Sequence, residues 1–485
     1  MYDVIIIGCG VVGAATAYQL ARYKLKVAVL EAQNDVANGT TKANSAILHA
    51  GYDPKPGTRM AVLNVEGNRM AMELCRKLDV PCRQIGSLLL ALNEEQKADL
   101  HTLYQRGLAN GVPGLALLDR EAALAMEPGL NPALTGALYA PTAAVVNPWE
   151  YALAMAETAV VNGVALHRRC PVTGIRPLPG GGFGLQTPEG ELQTRFVVNA
   201  AGVNADRVHA LLEPVSWKIT PNRGSYFLLD KAEGDRVHHV IFQCPGPNGK
   251  GVLVTPTVHG NLLVGPDAQP VEDRLDLGTP AAALDFVRRQ ARQSVPDINF
   301  GQNIRNFAGI RANSDQEDFI LQPSRAYPAF LDLAGIKSPG LTAAPAIGKL
   351  AVGMLAEAGL VCTPKEQFAD ERHVVRMERL SPAEKNALIA RDPRYGRVIC
   401  RCETVTEGEI VAALHSPIPA VSINGVKRRC NAGMGRCQGG FCGPRVQEII
   451  ARELGIDQTA VPLDQDGSWV LARETKTGEE GCGHV

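Results

Sequence analysis

Val4-Ile5-Ile6-Ile7-Gly8-Cys9-Gly10-Val11-Val12-Gly13, carried on to Val27-Ala28-Val29-Leu30-Glu31, is the stretch on which the reading of the fold turns. Four consecutive β-branched residues with no polar alternate predict a strand buried on both faces, as in a parallel sheet. The apolar residues of Val12–Tyr23 recur at helical spacing, and Val27–Leu30 reads as a second buried strand. The three glycines between strand and helix have separate tasks. Gly8 permits the tight turn, Gly10 lets the backbone approach a pyrophosphate, and Gly13 lets helix pack on strand. The helix start then offers N–H groups and a partial positive charge to phosphates. Glu31, with Ala32 beside it, stands eighteen residues after Gly13, where a carboxylate accepts ribose hydroxyls. Strand, glycines, helix, strand and terminal acid predict a dinucleotide-binding unit; FAD and NAD both use it, so the segment does not choose between them.

Outward from this unit, the pattern predicts a third parallel strand at Phe196–Asn199, running into Ala200-Ala201-Gly202. Residues 80–145 read as a mixture of helix and loop. From Gly224 to Pro266 short strands alternate with turns (Tyr226–Leu229, Val237–Phe242, Val252–Thr255, Asn261–Val264), which predicts an inserted antiparallel sheet. Strand, glycine turn and helix return at Phe330–Ala334, Ser338–Thr342 and Ala346–Glu357. At 485 residues the chain exceeds one core. A net charge of −1 gives no electrostatic footprint for nucleic acid or an anionic membrane. No apolar run approaches the roughly 18 to 20 residues that span a bilayer. The chain enters a strand at once, with no secretory signal, so a reducing cytoplasm is expected and thiols are kept for metal rather than disulfides.

Five of the twelve cysteines fall between positions 400 and 442. Cys400-x-Cys402 and Cys437-x4-Cys442 lie on glycine-rich chain, and thiolates so spaced can converge on one metal centre. Structural zinc and an iron–sulfur cluster both use such ligands, although Cys-x-Cys is shorter than usual zinc spacing. Cys430 is surplus to four ligands. Arg401, Lys427, Arg428, Arg429 and Arg436 could offset a negative cluster, or Lys427–Arg429 could be a solvated basic run. The remaining cysteines read mostly as small buried apolar residues.

Four segments carry a family resemblance: the N-terminal glycines, Thr41-Lys-Ala-Asn44-Ser45-Ala-Ile-Leu-His49-Ala-Gly51, Val197-Val-Asn-Ala-Ala201-Gly202, and Gly335-Ile-Lys-Ser-Pro-Gly340-Leu341-Thr342. Over about residues 1–360 the chain resembles the D-amino-acid-oxidase-type (glutathione-reductase-2) flavoprotein superfamily. Within it the likeness is to catalytic subunits of anaerobic glycerol-3-phosphate dehydrogenase and to L-2-hydroxyglutarate dehydrogenases. The resemblance implies FAD, lined by Asn44, Ser45, Ala201, Gly202, Gly309 and Gly340–Thr342, with Gly340 and the following N–H groups facing negative charge on the reduced ring. The cysteine module resembles the bacterioferritin-associated-ferredoxin-like domain, which implies a [2Fe–2S] cluster on Cys400, Cys402, Cys437 and Cys442. Its x4 gap is longer than the two-residue gap of free-standing members.

The implied architecture is α/β: a Rossmann-like FAD-binding domain, an inserted mainly antiparallel substrate domain and a small α-rich cysteine domain. FAD-binding segments are expected near 1–80, 145–215 and 305–364, and substrate segments near 81–144 and 216–304. A connector at 365–394, the cluster domain at 395–465 and a mobile polar tail at 466–485 follow. His49 is the candidate base for a substrate hydroxyl, and Arg311, in Gly309-Ile-Arg-Ala312, resembles the family's arginine for an anionic substrate. Arg223 and Tyr226 are further catalytic candidates, with Arg59 and Lys337 behind them. The expected reaction is oxidation of a small anionic 2-hydroxy compound, glycerol 3-phosphate first and L-2-hydroxyglutarate second. Electrons would pass through the cluster to a partner subunit or carrier, and any membrane association would be through that partner. An amino-acid oxidoreductase and a non-catalytic electron-transfer subunit are the rival readings.

Overall fold

The computed structural model describes residues 1–244, 251–473 and 475. It divides into one unit of Met1–Ala32 and Val36–Val374 and a second of Gln33–Asp35 and Val375–Val485. Of the expected tail, residue 474 and residues 476–485 lie outside the described residues.

An eight-stranded sheet anchors the first unit. Tyr2–Ile7 lies between Val27–Leu30 and Gly190–Asn199, parallel to both, with Ile5 opposite Ala28 on one side and Val197 on the other. Phe330–Ala334 adds on beyond Asn199, also parallel. Covered on both faces, these strands need apolar side chains at every position, and Val4, Ile5, Ile6, Val197 and Val198 are fully buried. The helix Val11–Leu20 is apolar all round because the helices Pro148–Val161 and Gly340–Glu357 pack against it. Gly348 permits that second approach: a Cβ there would stand 2.7 Å from the Ala15 carbonyl oxygen. Gly340–Glu357 begins six residues before the expected start at Ala346. Pro345 hides this in the sequence, since proline ordinarily marks a helix boundary.

A nine-stranded, mainly antiparallel sheet forms the second layer of this unit. Its strand Asn222–Leu229 pairs along its length with Asn303–Arg311. The region 80–145 also differs from expectation: Ser87–Ala91 and Gly136–Ala140 are strands of this sheet, joined parallel to Val240–Gln243 through Ser87–Ala91. Leucine and alanine dominate them, and these residues do not separate a buried strand from a buried helix segment.

The second unit packs the helices Glu407–Leu414, Ile423–Cys430 and Gly443–Leu454 around Ile410, Leu414, Val426, Val446 and Ile450. Burying each such side chain contributes roughly 1.5 to 3 kcal/mol. Lys427, Arg428 and Arg429 are not a solvated run; all three are buried. Arg429 forms two bonds of 2.9 Å to the Asp35 carboxylate, Arg428 reaches the same group at 3.2 Å, and Lys427 Nζ donates to Gln438 Oε1. Asp35 therefore absorbs charge expected to face the cysteines. Burial alone would raise its pKa, but Arg429 and then Arg428 hold the carboxyl well below the usual carboxylate range.

Candidate active site and cysteine centre

The nucleotide cradle is built by contacts that exclude side chains. A Cβ on Gly13 would overlap the Gly8 carbonyl oxygen, and one on Gly8, at φ +96°, would press on the Ala200 carbonyl. Glu31 Oε2 accepts the Cys9 N–H at 2.8 Å, which fixes the acid at the end of its strand. Thr41 Oγ1 accepts the Val11 N–H at 3.0 Å, bringing the lining loop onto the helix start. Asn44 braces that loop by donating to the Thr41 carbonyl at 2.8 Å and accepting from the Ala46 N–H. Gly309 lies so near that any Cβ would overlap the Ala43 carbonyl oxygen. On the far side, Asn199 donates to Asp332 beneath the Ala201–Gly202 turn. A narrow, glycine-lined cradle with an acid at its end fits an adenine dinucleotide.

His49 is held from three directions. Its N–H donates to Thr342 Oγ1 at 2.8 Å, its carbonyl accepts from Asn64 and Asn68, and its ring stacks 5.7 Å from Phe242. Nε2 lies 3.2 Å from Ser338 Oγ. The Gly340 N–H is not directed at a ligand, because it donates to the Lys337 carbonyl at 2.7 Å. Of the expected first-turn N–H groups, those of Leu341 and Thr342 follow it at the helix start.

Strand alternation sorts the remaining candidates. Asn222, Gly224 and Tyr226 share one face, and Arg311 is the cross-strand neighbour of Asn222. Arg311 Nη1 donates to Asn222 Oδ1 at 2.6 Å and Nη2 to the Asp267 carbonyl at 3.0 Å. The Tyr226 hydroxyl meets Ser45 Oγ at 3.1 Å, and its ring stacks on Phe307 at 4.8 Å. Burial pushes the Tyr226 phenol up, with Arg311 and Ser45 opposing, so it stays a neutral donor. Arg223 is not brought to this group: it occupies the opposite face and pairs with Asp276. Arg59 and Lys337 are also elsewhere, donating to the carbonyls of Leu321 and Gln316. Asn222, Asn64, Asn68 and Ser338 were not among the expected residues. Alternation from Tyr226 was the available signal for Asn222.

In the second unit the four cysteines form two pairs. Cys402 and Cys437 approach to 3.8 Å between sulfurs, and Cys400 and Cys442 lie together in one buried cluster. The first pair is at the surface, whereas Cys400 and Cys442 belong to the apolar core. The neighbouring Cys442 thiol, opposed by burial and helped by the N–H groups of Gly433 and Glu403, lowers the Cys400 thiol to about 6. Among the described residues no three His, Cys, Asp or Glu side chains converge on a single ion. Two thiolates for each of two irons fit this pairing. Gly435 gives Cys402 its place, since a Cβ there would overlap the Cys402 Cβ. Cys430 donates to the Val426 carbonyl and burial pushes its thiol up to about 12, which suits a packed thiol rather than a ligand.

A Rossmann-type cradle, an inserted sheet bearing a cation, and paired cysteines in a separate unit define a flavin-dependent oxidoreductase with an iron–sulfur module. The chain belongs to the FAD dependent oxidoreductase family, whose model matches residues 3–354, and it carries a BFD-like [2Fe-2S] binding domain at 398–452. Its cofactors are FAD and a [2Fe–2S] cluster. It is 47% identical over 478 residues, 98% of this chain and 99% of the other, to a glycerol 3-phosphate dehydrogenase of Caloramator mitchellensis. The reduced, FAD-bound L-alpha-glycerophosphate oxidase of Mycoplasma pneumoniae superposes with a TM-score of 0.74 at 32% identity, covering 77% of this chain and 99% of that one. The human mitochondrial L-2-hydroxyglutarate dehydrogenase is 31% identical over 286 residues, 55% of this chain and 61% of that one.

Proposed function

We propose that the protein oxidises glycerol 3-phosphate to dihydroxyacetone phosphate and delivers the electrons, through its cysteine module, to a partner protein. The observation that carries this reading is Arg311. It is oriented by two neutral acceptors on the face that also carries Tyr226, whose hydroxyl meets Ser45, with guanidinium N–H groups left for a phosphate. The near full-length likeness to a protein named for this substrate supports it. Arg311 binds the phosphate, and Tyr226 and Ser45 supply hydroxyls beside it. His49, steadied by Thr342, Asn64 and Asn68, takes the proton of the substrate's C2 hydroxyl. Bound FAD supplies the hydride acceptor and the [2Fe–2S] cluster a one-electron centre. The proposed working place is the cytoplasm, with membrane contact made only through the partner. Among the described residues no helix is long and apolar enough to cross a membrane.

The test is anaerobic bleaching of the flavin by glycerol 3-phosphate, L-2-hydroxyglutarate and amino acids, offered separately. Glycerol 3-phosphate is expected to bleach it fastest. Bleaching by either rival with glycerol 3-phosphate inert overturns the reading.

A further inference from the structure

We infer that Asn222 sets the preference for an anionic substrate by holding Arg311 in place without neutralising it. This rests on the substrate reading above. Arg223, on the strand Asn222–Leu229, and Arg311, on its neighbour Asn303–Arg311, lie on opposite faces of the sheet, and the protein treats them differently. Arg223 is paired with a carboxylate, Asp276. Arg311, across the strand from Asn222, has an amide oxygen at 2.6 Å and a main-chain carbonyl at 3.0 Å. Among the described residues no carboxylate is within ion-pair distance of it. The Asp267 carboxylate, the acid adjoining that carbonyl, is turned to the Ser225 N–H at 2.6 Å. Gly224 completes the seat, since any Cβ there would overlap Arg311 Nη2.

A guanidinium has five N–H donors in a rigid fork and is charged at every working pH. An acid at position 222 would orient the fork equally well but would form a bidentate ion pair and compete with the phosphate. An amide orients it and leaves its positive charge for the ligand. Asn222 is thus a positioning residue whose neutrality is the essential property.

The experiment compares Asn222→Asp with Asn222→Ala in the flavin-loaded protein. N222D is expected to raise KM for glycerol 3-phosphate by about tenfold or more with kcat within about threefold, the signature of lost uniform binding. N222A removes the orienting bond but adds no charge, so its KM should rise as well, by a clearly smaller factor than that of N222D. A merely structural role predicts similar losses in both variants. Equal KM changes in the two, or an N222D value within about twofold of the parent, overturn the inference. Inorganic phosphate, titrated against the flavin spectrum, gives a readout without turnover, and its dissociation constant should rise further in N222D than in N222A. If glycerol 3-phosphate fails to bleach the parent, the substrate reading falls, and the phosphate titration still decides the role of Asn222. No phosphate binding by the parent overturns the inference as well. If N222D fails to retain flavin, Asn222→Glu replaces it with the same expected outcomes.

Discussion

At the scale of single residues, the site depends on groups held by neighbours rather than by their own conformational preference. His49 is fastened at its N–H by Thr342 and at its carbonyl by Asn64 and Asn68, so little is left to its backbone to decide. If its ring takes the substrate proton, His49→Ala should lower the rate of anaerobic flavin reduction about 100- to 10,000-fold. Flavin content should remain that of the parent, and stopped-flow absorbance measures both. A loss under about threefold would remove His49 from the chemistry. His49 and Arg311 stood out in the sequence as candidates because each stands inside a motif whose residue types announce it. Arg223 was misplaced because Arg-Gly-Ser-Tyr states which residues are present but not which of two strand faces each occupies. Asn222 was invisible for a related reason. Its role exists only through register with Arg311, 89 positions away.

At the scale of elements, close crossings decide what the segments can hold. Gly67, in the helix Arg59–Lys77, faces Gly340–Glu357 so closely that a Cβ would overlap the Thr342 carbonyl oxygen. Gly67→Ala should therefore cost about 1 to 3 kcal/mol as overpacking. Since Thr342 is a partner of His49, the variant should also slow flavin reduction, and thermal melting with single-turnover kinetics tests both effects. In the cysteine unit, the helix Ile423–Cys430 is tied through Arg428 and Arg429 to Asp35. Removing one partner of a buried pair typically costs about 3 to 5 kcal/mol, which is the loss expected for Asp35→Ala. The sign of its pH dependence follows from the depressed carboxyl. The stabilisation is complete above the ordinary carboxylate pKa and fades as pH falls below about 4 toward the folded value. The stability gap between parent and Asp35→Asn should narrow over that range, as read from urea melts of the cluster absorbance. The fold was legible where β-branched runs met glycine turns, as at Val4–Gly8. It was obscure at Ser87–Ala91, where leucines suit strand and helix alike.

At the scale of the whole molecule, the two units divide the electron chemistry by number. Substrate oxidation releases a pair of electrons, and FAD can hold both, whereas a [2Fe–2S] centre takes one at a time. The cysteine unit is built accordingly, with Cys400 and Cys442 in its core and Cys402 and Cys437 at its surface. A partner would then meet the iron held by the outer pair. Cys437→Ser tests this division, because it alters an outer ligand and leaves His49 and Arg311 themselves unchanged. Iron content should fall below the parent's value of about two per chain. Anaerobic bleaching by glycerol 3-phosphate should proceed at the parent rate, since substrate, base and hydride acceptor are all retained. Steady-state turnover with cytochrome c as a one-electron protein acceptor should drop by about tenfold or more, because the pair then lacks its one-at-a-time exit. Undiminished turnover in a variant shown to lack iron would mean that acceptors draw directly on the flavin. Zinc in place of iron in the anaerobically purified parent would exclude the electron path itself, leaving the paired cysteines a structural role.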